Sequence, residues 1–358
     1  MTAVERARHF YVGTYASEEE EGLFHCTLNE KTGELHFVSA MGGIENPSYL
    51  TVCPNRTHLY AASEKDYGEV VAYTLDPETF EPHRHGRTAS EGAAPCFVSA
   101  TPNGKILLAA NYGGSVSAFS IRAHGVLEQV SCVQHSGSGI HPQRQDSAHP
   151  HAFVPSPDGT FLFAPDLGTD RIARYTLEDE RLFKQEDIEL PAGTGPRTLA
   201  FHPDGRWAYI SGELNNTVTA LEYEPQSGGL TAFQCEALLP AEQAADPANT
   251  AAHTAVSPCG KYVYVSNRGD DSITQFAVDL SDGRLSPVER VSSGGRIPRH
   301  FAIMGGFLVA ANQESGRIVS FAIGAEDGRL TPTGYALELS RPVCICPMPE
   351  ADSADWTF

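Results

Sequence analysis

Residues His151–Leu177 read HAFVPSPDGTFLFAPDLGTDRIARYTL. An apolar run meets the turn Pro157-Asp158-Gly159. A second run, FLFAPD, ends on a carboxylate, and a third, RIARYTL, follows a Gly-Thr-Asp bend. Proline presets the backbone for a turn, aspartate bonds back to the chain, and glycine accepts the left-handed conformation. Short β-branched and aromatic runs bounded by such turns are strands, so the phrase predicts an antiparallel meander.

The phrase recurs. Thr198–Leu230 and His253–Leu285 repeat it closely, earlier copies begin at Ser48 and Phe97, and a later one at His300. A seventh copy is split: the N-terminal HFYVGTY…GLFHCTL holds the second and third strands, and the C-terminal RPVCICPM resembles the missing first one. The turn prolines at 54, 102, 157, 203 and 258 are spaced by 48, 55, 46 and 55 residues, a period within the propeller range. The expectation is an all-β fold: a seven-bladed β-propeller of four-stranded antiparallel blades, a single domain over 1–358, its ring closed by pairing N- and C-terminal strands. Closure removes two exposed sheet edges.

Composition narrows the function. With 45 acidic against 25 basic side chains the net charge is −20, which argues against a nucleic-acid or anionic-membrane binder. A few arginines in a cleft can still outweigh a distant acidic surface. No apolar run is long enough for a signal peptide or a bilayer span, so a cytoplasmic location is expected. The eight cysteines contain no Cys-x-x-Cys pair and most stand in apolar runs, which predicts reduced, buried thiols. Cys344 and Cys346, two apart on a strand, should face the same way.

Topology then collects residues at one place. The first strand of each unit lines the channel and the second returns beside it. The start of strand one and the end of strand two therefore share a face, opposite the Pro-Asp-Gly turns. Strand-one starts carry Asn46, Cys96-Phe97, His149-Pro150-His151, Pro196-Arg197, His253 and Pro298-Arg299-His300. Strand-two ends carry Glu64, Asn111-Tyr112, Asp166, Glu213, Asn267-Arg268 and Asn312-Gln313. Individually, the histidines could satisfy backbone groups, Asp166 and Asn111 could cap turns, and Arg197 and Arg299 could pair across blades. Seven blade junctions do not by themselves require this concentration of arginine and histidine, so this rim is the expected site.

Other features carry less. No nucleophile elbow, P-loop or dinucleotide fingerprint is present. The stretch Ser136–Pro150 reads as an inter-blade loop. The run Glu18–Glu21 reads as a solvated loop tip that could hang over the same mouth and repel an anion.

The phrases NPSYLTVCPN, LLAANYGGSVSAF, HPQRQDSAHPHAFVPSPDGTFLFAPDLGTDRI, GPRTLAFHPDGRWAYISGELNNTVTALEY, AVSPCGKYVYVSNRGDDSI and PRHFAI resemble the seven-bladed lactonase family over nearly the whole chain. That family holds bacterial propeller-type 6-phosphogluconolactonases and the fungal 3-carboxy-cis,cis-muconate lactonizing enzyme. The resemblance implies a site at the central mouth, with His149 and His151, Arg197, Glu213 and Arg268 at the matching positions. Two departures stand out: Thr198 and Phe97 occupy positions where many relatives carry histidine.

Lactone hydrolysis needs an activated water, a stabilised oxyanion and a protonated leaving alkoxide. His151 is the expected base, with Glu213 as an orienting partner or alternative base and His149 as a further catalytic candidate. Arg197, Arg268, Arg299, Asn111, Asp166 and Gln313 are the expected substrate-binding residues for an anionic small-molecule lactone. The scheme needs no metal or other cofactor, although Asp166, Glu213 and Glu64 offer carboxylates for a divalent cation. A monomer or homodimer is expected. The alternatives are a muconate-type cycloisomerase and a non-catalytic binding propeller, the latter calling for exposed aromatics at the mouth.

Overall fold

The computed structural model describes residues 7–350 apart from residue 245. Seven antiparallel sheets follow one another around a channel. From channel to rim, one blade runs Pro47–Val52, His58–Ser63, Glu69–Leu75 and Pro82–Ala89. The blade containing the opening phrase departs most from this pattern. Its inner strand shrinks to Val154–Pro155, and a short segment, Ile188–Glu189, adds a fifth pairing.

The split copy behaves as expected. Strand Pro342–Pro347 is the innermost of its sheet and pairs antiparallel with Ala7–Thr14, Val12 opposite Ile345. One blade is therefore made from both ends of the chain.

The strands form where the sequence alternates apolar runs with turn residues. Glycines 104, 159, 205 and 260 end the repeated turns at φ between 65° and 73°, a conformation that costs glycine little. The copy after Ser48 has no such glycine, and Arg56 takes the position at φ 61°. Burial falls from the channel outward. Second strands such as Ile106–Asn111 and Trp207–Gly212 are buried throughout, whereas outer strands such as Pro82–Ala89 bury little beyond their first residue.

The core lies between neighbouring blades. Tyr11, Leu50 and Tyr73 pack with Cys344 and Cys346 on one side of the closing strand. Ile345 turns to the other side, against Phe10 and Val309. All eight cysteines are free, but the expectation of burial fails for three. Cys132 and Cys235 lie on outer strands, and Cys259 takes the aspartate position of a surface turn.

Candidate active site

A repeated irregularity builds the mouth. Pro47 pairs with Ser63 but Tyr49 with Ala62, so Ser48 has no opposite residue. The same slip isolates Cys96, Arg299 and Val343. Arg197 and Thr198 together face Ser211, and Ala252 and His253 together face Ser266. Pro150 makes a single bridge to Asp166, which puts His151 in the equivalent place. These are β-bulges, which re-aim a side chain out of the regular alternation. Proline suits the start because it needs no ladder donor there. Ser48, Cys96, His151, Arg197, Arg299 and Val343 line one constriction of the channel, with free volume near 10 Å³.

Above this ring stands a charge cluster around Glu213, at the end of strand Trp207–Gly212. Its carboxylate is 1% exposed and meets three guanidinium groups. Arg144 reaches Oε1 from the long inter-blade loop. Arg197 Nε and Arg268 Nη2 each lie 2.9 Å from Oε2. Arg268 Nη2 also donates to the Ala251 carbonyl at 3.2 Å. Burial alone would raise the Glu213 pKa, but the three arginines overcome it and hold the carboxyl far below its usual range. Desolvation and the repulsion of Arg268 and Arg299 pull Arg197 down to about 9.

Arg299 differs. Among the described residues it has no carboxylate partner within ion-pair distance. Its guanidinium rests 5.3 Å over the Tyr15 ring. The Tyr15 hydroxyl donates to both oxygens of Glu64 at 3.1 Å. Four arginines thus share two nearby carboxylates, which leaves the mouth of a strongly acidic protein with local positive charge.

The two candidate histidines are held differently. His151 is buried, and its Nδ1 has no hydrogen-bond partner among the described residues. Desolvation and then the charge of Arg197 push its pKa well below the ordinary value, so the imidazole is neutral. His149 stacks on Tyr112 with centroids 4.4 Å apart. Its Nδ1 lies 2.8 Å from the Tyr112 carbonyl and its Nε2 3.2 Å from Asp146 Oδ1. Ser147 Oγ lies 3.4 Å from the same Nε2.

Three expected substrate-binding residues are not brought into the cluster. Asn111 is fully buried, and its Nδ2 is directed at Ser90 O, Ser115 Oγ and Ser117 Oγ. Asp166 accepts from the His149 and Gly168 amides and meets His135 Nδ1 at 2.7 Å, so it fastens a blade end. Gln313 donates to its neighbour Glu314. Asp166, Glu213 and Glu64 each engage different partners and do not converge as a cation site. The Glu18–Glu21 run lies apart from the arginine cluster: Glu18 pairs with Arg87, and Glu20 accepts from the Ser17 amide.

Arg144 is the residue sequence reasoning missed. It lies in a loop with no counterpart in other repeats. Its only signal is a cation next to the histidine-rich phrase. The departures are also explained. Thr198 knots its hydroxyl to Ser211 and the Ala252 carbonyl, and Phe97 stacks 4.2 Å from Tyr49. Tyr49, Phe97 and His300 form a floor. Below it lies a larger cavity of about 290 Å³, lined chiefly by apolar groups such as Leu50, Val52 and Met304 and reaching the opposite, turn-bearing face. Its size does not make it the site, because the convergent charged groups lie on the other side of that floor.

Fold and site define a seven-bladed β-propeller with an arginine-lined mouth at one end of its channel. The chain belongs to the family described as lactonase, 7-bladed beta-propeller, whose model matches residues 9–347. It is 36% identical to the 6-phosphogluconolactonase of Bacillus subtilis over 84% of this chain and 86% of that one. A crystal structure from Bacteroides fragilis, assigned as a 6-phosphogluconolactonase, superposes with a TM-score of 0.90 at 31% identity, covering 98% of this chain and all of the other. The periplasmic gluconolactonase of Pseudomonas aeruginosa superposes at 0.86 with 32% identity, covering 96% and 99%.

Proposed function

We propose that the protein hydrolyses a phosphorylated sugar lactone, 6-phospho-D-glucono-1,5-lactone, to 6-phosphogluconate, a step of the pentose phosphate pathway. The observation that carries this reading is the mouth itself: three guanidinium groups on one buried carboxylate, with Arg299 and the buried His151 beside Arg197. The activity named for the Bacillus subtilis relative supports it.

The chemistry follows from how the groups are held. A water oxygen attacks the lactone carbonyl while neutral His151 takes its proton. An arginine of the cluster faces the developing oxyanion, a contact typically worth about 3 kcal/mol. The ring C–O bond then breaks, and the alkoxide receives a proton from His149. Two histidines in contrasting environments divide base and acid roles in this way. Glu213 is too acidic for a general base and instead fixes the arginines. No step draws on a metal. The cluster is complete within one chain, so a monomer suffices. Free thiols throughout the chain suit a cytoplasmic location. No described helix is long and apolar enough to cross a membrane.

The test is hydrolysis of freshly generated 6-phosphogluconolactone with the spontaneous rate subtracted. Turnover that is lost in His151→Ala and Arg197→Ala supports the reading. A wild-type rate equal to background sinks it.

A further inference from the structure

Behind the cluster lies a second buried carboxylate, Asp170. It sits at the bend before strand Arg171–Glu178, 6% exposed, with a left-handed backbone at φ 56°. It meets no cation. Its Oδ1 accepts from the Gly195 amide at 2.7 Å and from Gln145 Nε2 at 2.8 Å, and its Oδ2 accepts from the Gly193 amide at 2.7 Å. Placing a carboxylate in the interior with only neutral donors is costly, and three short bonds are what offset the lost hydration.

Each donor leads to a member of the cluster. Gly195 is two residues before Arg197, and its carbonyl accepts from the Glu213 amide at 2.8 Å. Thr194, between the two glycines, accepts the Leu214 amide at 3.1 Å. Gln145 is next to Arg144, and its Nε2 also reaches the Leu167 carbonyl at 2.9 Å. Gln145 Oε1 accepts the His141 amide at 3.0 Å, which closes the loop on itself. One aspartate therefore anchors the segment that leads into Arg197 and accepts the Glu213 amide, and the loop carrying Arg144.

We infer that Asp170 is a positioning residue, which sets Arg144 and Arg197 on Glu213 by tying the Gly193–Gly195 segment and Gln145 to one carboxylate. It does not touch the mouth, and its effect on turnover rests on the lactonase reading above. Misplacement of a reacting group by about 1 Å can cost about 100-fold in rate. Asp170→Ala should therefore lower kcat/KM by about that factor. Asp170→Asn keeps an oxygen for Gly195 and Gln145 but sets an amide donor against the Gly193 N–H, so it should recover part of the activity.

The experiment pairs these kinetics with crystal structures of the two variants, so that an inactive wild type would overturn the lactonase reading without deciding this one. Separation of Arg197 Nε from Glu213 Oε2 beyond ion-pair distance in Asp170→Ala, and its restoration in Asp170→Asn, is the expected result. A cluster unchanged in Asp170→Ala, with only a lowered melting temperature, overturns the positioning role. If Asp170→Ala does not fold, Gln145→Leu removes the Arg144 arm alone. Displacement of Arg144 in that variant supports the inference, and an unmoved Arg144 refutes it.

Discussion

Arg299 rests its guanidinium over the ring of Tyr15 rather than on a carboxylate. A π face holds a cation in place without cancelling its charge or using its N–H groups. The other three arginines lie within ion-pair distance of Glu213. Arg299 is therefore the cation most free to meet the phosphate of a substrate. Charge-assisted hydrogen bonds are worth about 1.5–3 kcal/mol, so Arg299→Gln should raise KM for the phosphorylated lactone by about 10- to 100-fold. Steady-state kinetics on 6-phosphogluconolactone and on unphosphorylated gluconolactone check this. An equal loss on both substrates would show that Arg299 acts on the lactone ring instead.

Glu213 is the shared counter-ion of three guanidinium groups. Removing its charge leaves buried cations uncompensated, a change that typically costs about 3–5 kcal/mol. Glu213→Gln should lower stability by an amount of that order. Added inorganic phosphate should restore part of it by replacing the missing anion. Urea unfolding with and without phosphate measures both effects.

His151 is neutral because burial and Arg197 oppose its protonation. His151→Ala should reduce kcat by about 100- to 10,000-fold, the usual contribution of a positioned base. Because its pKa lies well below 6.5, the acid limb of the wild-type profile should also lie well below that pH. A limb centred at 6.5 would assign the base role to a different group.

Acid should also loosen the fold. Burial pushes His25 down to about 4 and His300 to about 3. In the unfolded chain both take up protons near pH 6.5, while the folded protein does not until much lower pH. Their contribution is fully present above pH 6.5 and is lost progressively as pH falls toward 4 and then 3. The melting temperature should fall across that window. His25→Asn should flatten the upper part of the decline, which differential scanning calorimetry at stepped pH would reveal.

The repeated turns made the fold legible, because a Pro-Asp-Gly turn between apolar runs constrains the chain locally. The split repeat made ring closure legible as well. The mouth was legible only as a list of residues at strand ends. Asn111, Asp166 and Glu213 all sit at that position, yet the first two are short and find partners on their own bends. Glutamate reaches further and meets three arginines. The bulges that turn Arg197 and Arg299 inward are slips of register, which periodicity does not reveal, although the preceding prolines mark their positions. Arg144 escaped because a loop outside the repeat has no template to place it.

The blade made from both ends of the chain has a consequence for synthesis. Translation runs from the amino end, and strand Pro342–Pro347 follows every other described strand. The ring therefore stays an open crescent until the ribosome has released that segment. Arg299 and Tyr15 are brought within reach of one another only when the crescent shuts. Catalytic competence should thus arrive in one step when this strand docks rather than growing blade by blade, and a polypeptide cut short of Pro342 should be silent however many blades it has folded.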